Sequence, residues 1–227
     1  MLNIKKIFTA LFGISLMCFS VLSFADWFTS SKISELIKKA DSGDKNAQFS
    51  VGSAYDFGQG APHDGEKAKK YYLMAAEQGH AEAQNSLGSI FEAEGNYTEA
   101  ASWYYQAVQQ GHPLAMNSIA HYYLQGMGVP QDKNKGIELY ITAANLGMPQ
   151  AMYNLGAIHI AGEIVDKDVP KGCVWIIRAY NYSNRAGYKR VIEASSKAKE
   201  VVEKKLTAAE YKKCEEEGNS WTPSLKN

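Results

Sequence analysis

The sequence predicts an all-α solenoid: about four antiparallel helix pairs stacked in series, with capping helices at both ends. Three observations predict it. A pattern of small and apolar residues restarts at Ala47, Ala83, Ala115 and Ala151, at intervals of 36, 32 and 36 residues, a period in the range of stacked helical hairpins. Glycines punctuate the periods in the turn and at the close, the closing one missing only from the fourth, and in three of the four periods an Asp follows the first glycine turn.

Each period opens with a first helix. Four residues after the starting Ala stands an aliphatic residue (Val51, Leu87, Ile119, Leu155), followed by a small one (Gly52, Gly88, Ala120, Gly156) and, three further on, a ring (Tyr55, Phe91, Tyr123, His159). Positions i, i+4, i+5 and i+8 share one helical face, and the small residue lets a partner helix approach closely. Gly58-Gln-Gly60, Gly126-Met-Gly128 and Gly162 end these helices, because glycine enters the left-handed conformation of a helix C-terminus without strain. Asp64, Asp132 and Asp168 stand where an N-cap is needed. A second helix follows through Tyr71-Tyr72, Leu139-Tyr140 and Trp175-Ile176 and closes at Ala75-Ala76, Ala143-Ala144 and Ala179. The second period omits four residues in its turn but keeps Ala100, Trp103-Tyr104, Ala107 and Gly111.

The flanks read as caps. Ser34–Gly43 matches a lone second helix, Tyr188–Lys205 a charged amphipathic helix, and Thr207-x-x-Glu210 a capping box opening a short helix that ends near Gly218. Terminal units of a stack need one polar side because no neighbour covers them. The domain reading is therefore 1–25 a targeting segment, 26–46 an N-terminal cap, 47–187 four repeats, and 188–227 C-terminal caps and tail. Trp221 belongs to the closing element, with a loose tail over Thr222–Asn227.

These residues resemble the Sel-one-like repeat family, relatives of the tetratricopeptide repeats. Ala47–Gly79 and Ala115–Gly147 match nearly every position of its A-x3-L-G-x2-Y-x2-G-x-G pattern and the helix that follows. Ile164, Tyr180 and Ser183 depart from the pattern, so the second helix of the fourth unit is expected to end differently. The resemblance implies a right-handed superhelix whose first helices line the concave face. The positions turned into that groove are Phe49, Ser53, Asp56 and Phe57; Asn85, Ser89 and Glu92; Asn117, His121 and Leu124; and Tyr153, Asn154 and Ala157. Asn side chains can donate to and accept from a peptide backbone, and Phe49 and Tyr153 can bury an anchor residue. The groove has no Lys or Arg to clamp a C-terminal carboxylate. The resemblance further implies a scaffold, a regulator, or an inhibitor or immunity protein acting by protein–protein contact.

Chemistry is otherwise sparse. The five histidines have neither HExxH spacing nor a cysteine at zinc-site distance, so no metal or cofactor is expected. His159 stands in the packing-ring position and reads as core. Ser-x-x-Lys occurs at Ser42–Lys45 and Ser196–Lys199 without the Ser-Asp-Asn or Lys-Thr-Gly that penicillin-interacting serine enzymes add. Cysteine-rich relatives described as penicillin-binding or β-lactam-hydrolysing make an enzyme the alternative. Those relatives carry a regular cysteine pair in each repeat, which this chain lacks, so a non-enzyme is expected. With 24 basic and 24 acidic residues, no charge excess draws the chain to nucleic acid or to an anionic membrane. Asn96-Tyr-Thr98 and Asn181-Tyr-Ser183 are glycan sequons only in a glycosylating host.

The N-terminus reads as a bacterial-type export signal. Lys5-Lys6 precede an apolar run from Ile7 to Leu22, and Ser23-Phe-Ala25 places small residues at −3 and −1 of a cleavage point. A spanning anchor needs about 20 apolar residues, and this run is interrupted by serines. Leu16-Met17 before Cys18 is no lipobox. Cleavage leaves 22 basic and 24 acidic residues and two cysteines, Cys173 and Cys214. An even pair in an oxidising compartment suits a disulfide, and two buried thiols are the alternative. The family resemblance implies a closing helix folded back on the last unit, which would bring the two together. Periplasmic or secreted material is expected to carry Asp26 at its N-terminus by intact-mass analysis; a membrane-bound full-length species would contradict the signal reading.

Overall fold

The computed structural model describes residues 32–223, so the targeting segment and the last four residues lie outside the described residues. Among the described residues there are eleven helices and no strand. They are α1 (32–41), α2 (Lys45–Phe57), α3 (Gly65–Glu77), α4 (Ala81–Ala93), α5 (Tyr97–Gln109), α6 (Pro113–Gln125), α7 (Lys133–Asn145), α8 (Pro149–Ala161), α9 (Val169–Ala186), α10 (Lys189–Glu203) and α11 (Ala208–Asn219). The chain divides into two compact units, Met1–Ala83 and Gln84–Asn227, with α4 straddling the boundary.

In the first unit α2 starts because Asp44 accepts hydrogen bonds from the N–H groups of Asn46 and Ala47. It stops at Gly58, whose φ of 64° is left-handed. Asp64 caps α3 by accepting from the Lys67 N–H. The core joins Ala40 of α1 to Val51 and Tyr71, with Leu36, Ile37, Tyr55 and Met74 packed around it. Gln48 is buried, and its amide donates to the Ala40 carbonyl at 3.0 Å, so α1 is tied to α2 by a satisfied polar contact as well as by packing.

The second unit repeats this construction. Asn96, Asp132 and Asp168 cap α5, α7 and α9 from their side chains, and the His112 ring caps α6. One backbone bond recurs at every turn: the N–H of the capping residue donates to the carbonyl of the first-helix ring residue. It joins Asp64 to Tyr55 (3.0 Å), Asn96 to Phe91 (2.9 Å), Asp132 to Tyr123 (2.9 Å) and Asp168 to His159 (2.9 Å). The hairpin register is therefore the same four times, although the second turn is shorter. Each of α2 to α8 has 13 residues, whereas α9 runs for 18 before Gly187 closes it. The departures at Tyr180 and Ser183 mark that extension, and Ser183 is fully buried within it.

Close approach sets the spacing within each pair. A Cβ at Gly88 would lie 2.5 Å from the Tyr104 ring, and one at Gly156 would lie 2.6 Å from Ile176 and 3.0 Å from the Gly172 carbonyl. In the third repeat the first helix has Ala120, and the partner helix supplies the small residue instead. A Cβ at Gly136 would meet Leu124 at 2.6 Å and the Ala120 carbonyl at 2.9 Å. Leu124, expected in the groove, is accordingly buried at 3% exposure, because the missing Cβ of Gly136 opens a place for it in the core.

The C-terminal cap carries the capping box anticipated at Thr207 and Glu210, with both reciprocal bonds present. Cys173 of α9 and Cys214 of α11 are paired as a disulfide, with Cα atoms 6.0 Å apart, inside a cluster with Val174, Ile177 and Val202. The bridge spans 41 residues of sequence, for which unfolded-chain entropy gives at most about 4 kcal/mol. It pins α11 to α9 where Gly218 passes close to Ile177.

Gly156→Val is expected to destabilise the second unit by about 3 kcal/mol through overpacking. Gly65→Ala, where a Cβ meets nothing within 4 Å, is expected to leave stability unchanged or raise it by up to about 1 kcal/mol. Urea unfolding followed by circular dichroism separates the two; equal effects would refute close approach as the constraint.

Candidate partner-binding face

The first helix of each repeat packs through its aliphatic, small and ring positions, and the residues between them range from buried (Asn85, Leu124) to exposed (Phe57, Ser89, His121). In the first unit Phe49 is half-buried. Its ring stacks on His80 with centroids 4.5 Å apart and tilts against Tyr72 at 5.7 Å. Ser53 lies beside it, and both line a cavity of about 390 Å3 whose far wall is Ile33 and Leu36 of α1. Asp56 accepts a hydrogen bond from the Tyr72 hydroxyl at 3.1 Å. Phe57, at 67% exposure, is the most open large apolar side chain of this helix.

The second unit uses the same positions differently. Asn85 is buried, and its Oδ1 has no hydrogen-bond partner among the described residues. Ser89 is exposed, and its hydroxyl is 3.1 Å from that of Tyr104, which also donates to Glu92 at 2.7 Å. Burial first, and then the neighbouring Glu92, push the Tyr104 phenol up to about 12, so it stays a donor at any ordinary pH. One helix pair further on, Asn154 donates to Asn117 at 3.1 Å and accepts from Gln150 at 3.2 Å. Asn117, Asn154 and Gln150 thus form a half-buried amide chain between α6 and α8. His121 stands exposed one turn along α6 from Asn117, and Tyr153 lies half-buried beside Asn154.

His159 sits where the sequence places a packing ring. It is 6% exposed, and its Nδ1 has no partner among the described residues. Burial, followed by the charge of Lys171, holds its pKa below the ordinary value, against an opposing pull from Asp168. Neither Ser-x-x-Lys pair forms a serine–lysine hydrogen bond among the described residues. The Ser42 hydroxyl donates to the Lys39 carbonyl, and Lys199 lies 3.9 Å from Glu215 and over the Tyr180 ring. Among the described residues no three His, Cys, Asp or Glu side chains converge to hold a metal, and no helix is long and apolar enough to cross a membrane.

A cavity of about 780 Å3 between α8, α9 and α10 was not foreseen. Its sequence signal is one face of α10, where Ala194, Ala198 and Val201 alternate with cations, and it became legible only once α10 was placed beside α8.

Stacked helical hairpins with this glycine and capping register define a helical-repeat scaffold. Residues 45–80, 81–112, 113–148 and 149–181 match the model of the Sel1 repeat, and the chain belongs to that family. Among solved structures it is similar to a protective antigen of uropathogenic Escherichia coli displaying an SLR fold, with 28% identity and a TM-score of 0.74 over 82% of this chain. The chain spans only 39% of the length of that antigen. It is also similar to a Sel1 repeat protein from Oxalobacter formigenes, with 26% identity and a TM-score of 0.69, covering 87% of this chain and 79% of the other. An immunity protein from Pseudomonas aeruginosa has 18% identity and a TM-score of 0.51, covering 87% of this chain and 78% of its own, a likeness of fold alone. No curated protein matches the chain.

The lowered pKa of His159 ties stability to pH. The unfolded imidazole takes up a proton near its ordinary value of 6.5, whereas the folded one does so only at lower pH. The unfolded state therefore binds more protons over that window, and stability present above pH 6.5 is lost as pH falls below it. His159→Phe is expected to flatten the part of this slope due to that ring in urea midpoints measured from pH 8 to 5. An unchanged slope would contradict the assignment.

Proposed function

We propose that the mature chain is an exported protein-binding scaffold of the inhibitor or immunity kind, engaging its partner through first-helix residues. The observation that carries this reading is the amide chain of Asn117 and Asn154 flanked by the exposed His121 and the half-buried Tyr153. Such a surface offers donors, acceptors and an aromatic anchor on a rigid helical support, the composition of a recognition site. In the second unit the exposed Ser89 extends the set, whereas Asn85 is buried, and in the first unit Phe49, Ser53 and Asp56 form its counterpart. Export is supported by the signal-like N-terminus and by the Cys173–Cys214 pair, which suits the periplasm or the extracellular space. The immunity role is supported by the fold shared with the Pseudomonas aeruginosa protein.

Site-specific photo-cross-linking in the native host tests the reading. A photoreactive residue in place of His121 is expected to capture one protein, and the same group in place of the exposed Glu138 on α7 is not. Tyr153→Ala is expected to weaken binding of the captured partner by about 2 kcal/mol, roughly 30-fold in Kd. Its helix content should be unchanged. Capture from position 138 alone would overturn the assignment of this face.

A further inference from the structure

The cavity between α8, α9 and α10 combines an apolar floor with a rim of one charge. Tyr153 and Ile160 of α8 face Ala194, Ala198 and Val201 of α10 across about 780 Å3, a volume within the range of built ligand sites, about 300–1,000 Å3. The alanines leave the space, and Val201 remains 46% exposed on it. Around the opening stand Lys167, Arg190, Lys197 and Lys205, with Glu193 as the single acid. Glu193 is already paired with Lys197 at 2.9 Å. Lys167, Arg190 and Lys205 have no ion-pair partner among the described residues. This asymmetry is local, because the chain as a whole carries equal numbers of acids and bases. It also belongs to one face of α10, since the exposed Lys189, Glu200 and Glu203 of the same helix mix both signs.

The spacing of the cations selects the size of the occupant. The unpaired cations, Arg190 near the start of α10 and Lys205 just beyond its end, stand fifteen residues apart in sequence. At 1.5 Å per residue the helix from Arg190 to Glu203 runs roughly 20 Å, so the two form stations on the order of 20 Å apart. One small anion reaches only one station. An elongated segment with carboxylates along its edges and an aliphatic or aromatic side chain in the middle reaches both and fills the floor. That is the chemistry of an amphipathic segment laid in a groove, with charge setting orientation and apolar burial supplying the hold.

We propose that this cavity seats an acidic, apolar segment of the partner protein, with Arg190 and Lys205 reading its carboxylates and Val201 packing its anchor. The inference rests on the protein-binding reading above and names the partner's chemistry at one end of the same face.

The test is fluorescence anisotropy on the mature chain with a labelled 16-residue amphipathic peptide carrying Leu at helical spacing and Glu on its flanks. A matched peptide has Gln for every Glu, and dodecanoate serves as a small amphiphilic competitor. The Glu peptide is expected to bind at least tenfold more tightly than the Gln peptide and to weaken as salt rises. Arg190→Glu with Lys205→Glu should remove that preference, and Val201→Asp should abolish binding of both peptides. All three positions are exposed, and circular dichroism and melting confirm that the variants keep their fold. Equal binding of the two peptides, or an unchanged preference in the charge-reversed protein, overturns the inference. So does dodecanoate saturating the site while neither peptide binds, which would identify a small-amphiphile pocket. Capture of a partner from position 121 together with peptides that do not differ sinks this inference alone. A clear Glu preference with no capture at 121 sinks the first-helix reading and leaves this one standing.

Discussion

The backbone of α2 passes so near the ring of Tyr72 that a Cβ at Gly52 would sit 2.7 Å from the Cδ1 atom, and Gly88 stands in the same relation to Tyr104. A large side chain from the second helix lies flat on the first where the first has no side chain. Everything else in the repeat depends on that close approach. It fixes the distance between the paired helices, and it buries Tyr72 and Tyr104 almost completely. It also directs their hydroxyls along the first helix to Asp56 and Glu92, 3.1 and 2.7 Å away. Burying an aromatic ring is strongly stabilising, but a buried phenol needs a partner. The acidic residue one turn along the same helix from the glycine meets that need.

Consolidating packing and hydrogen bonding on one face of the first helix has a functional consequence. The intervening positions differ in identity from repeat to repeat. Phe49, Asn85, Asn117 and Tyr153 occupy one register position and share no chemistry. In contrast, the caps of the second helices recur with little change, because a helix N-terminus leaves backbone N–H groups that require an acceptor. The cysteine bridge plays the corresponding part at the C-terminal end, where α11 has a neighbour on one side only. There Cys214 and Gly218 are the buried residues of an otherwise charged helix.

Much of this was legible in the sequence because the determinants are local. Asp64, Asp132 and Asp168 cap the helices they precede, Gly58, Gly126 and Gly162 end the helices they follow, and Thr207 with Glu210 opens the last one. Less was legible where two elements share one decision. Leu124 has the spacing of a groove residue, and only the absence of a Cβ on Gly136 of the next helix draws it inward. Asn117 and Asn154 lie 37 residues apart and meet through a hydrogen bond that no local pattern announces. The length of α9 and the cavity beside α10 arise from the way the cap packs on the fourth repeat, after the repeat pattern has ended.

The most direct test of the close-approach constraint is a double-mutant cycle at Gly88 and Tyr104, read by chemical denaturation. Gly88→Ala should cost at least about 1 kcal/mol in the wild-type background. It should cost nothing, or stabilise, once Tyr104→Ala has removed the ring, giving a coupling energy of about 1 kcal/mol or more. The same cost for Gly88→Ala in both backgrounds would contradict the account, because the glycine would then be present for a reason unrelated to the ring packed upon it.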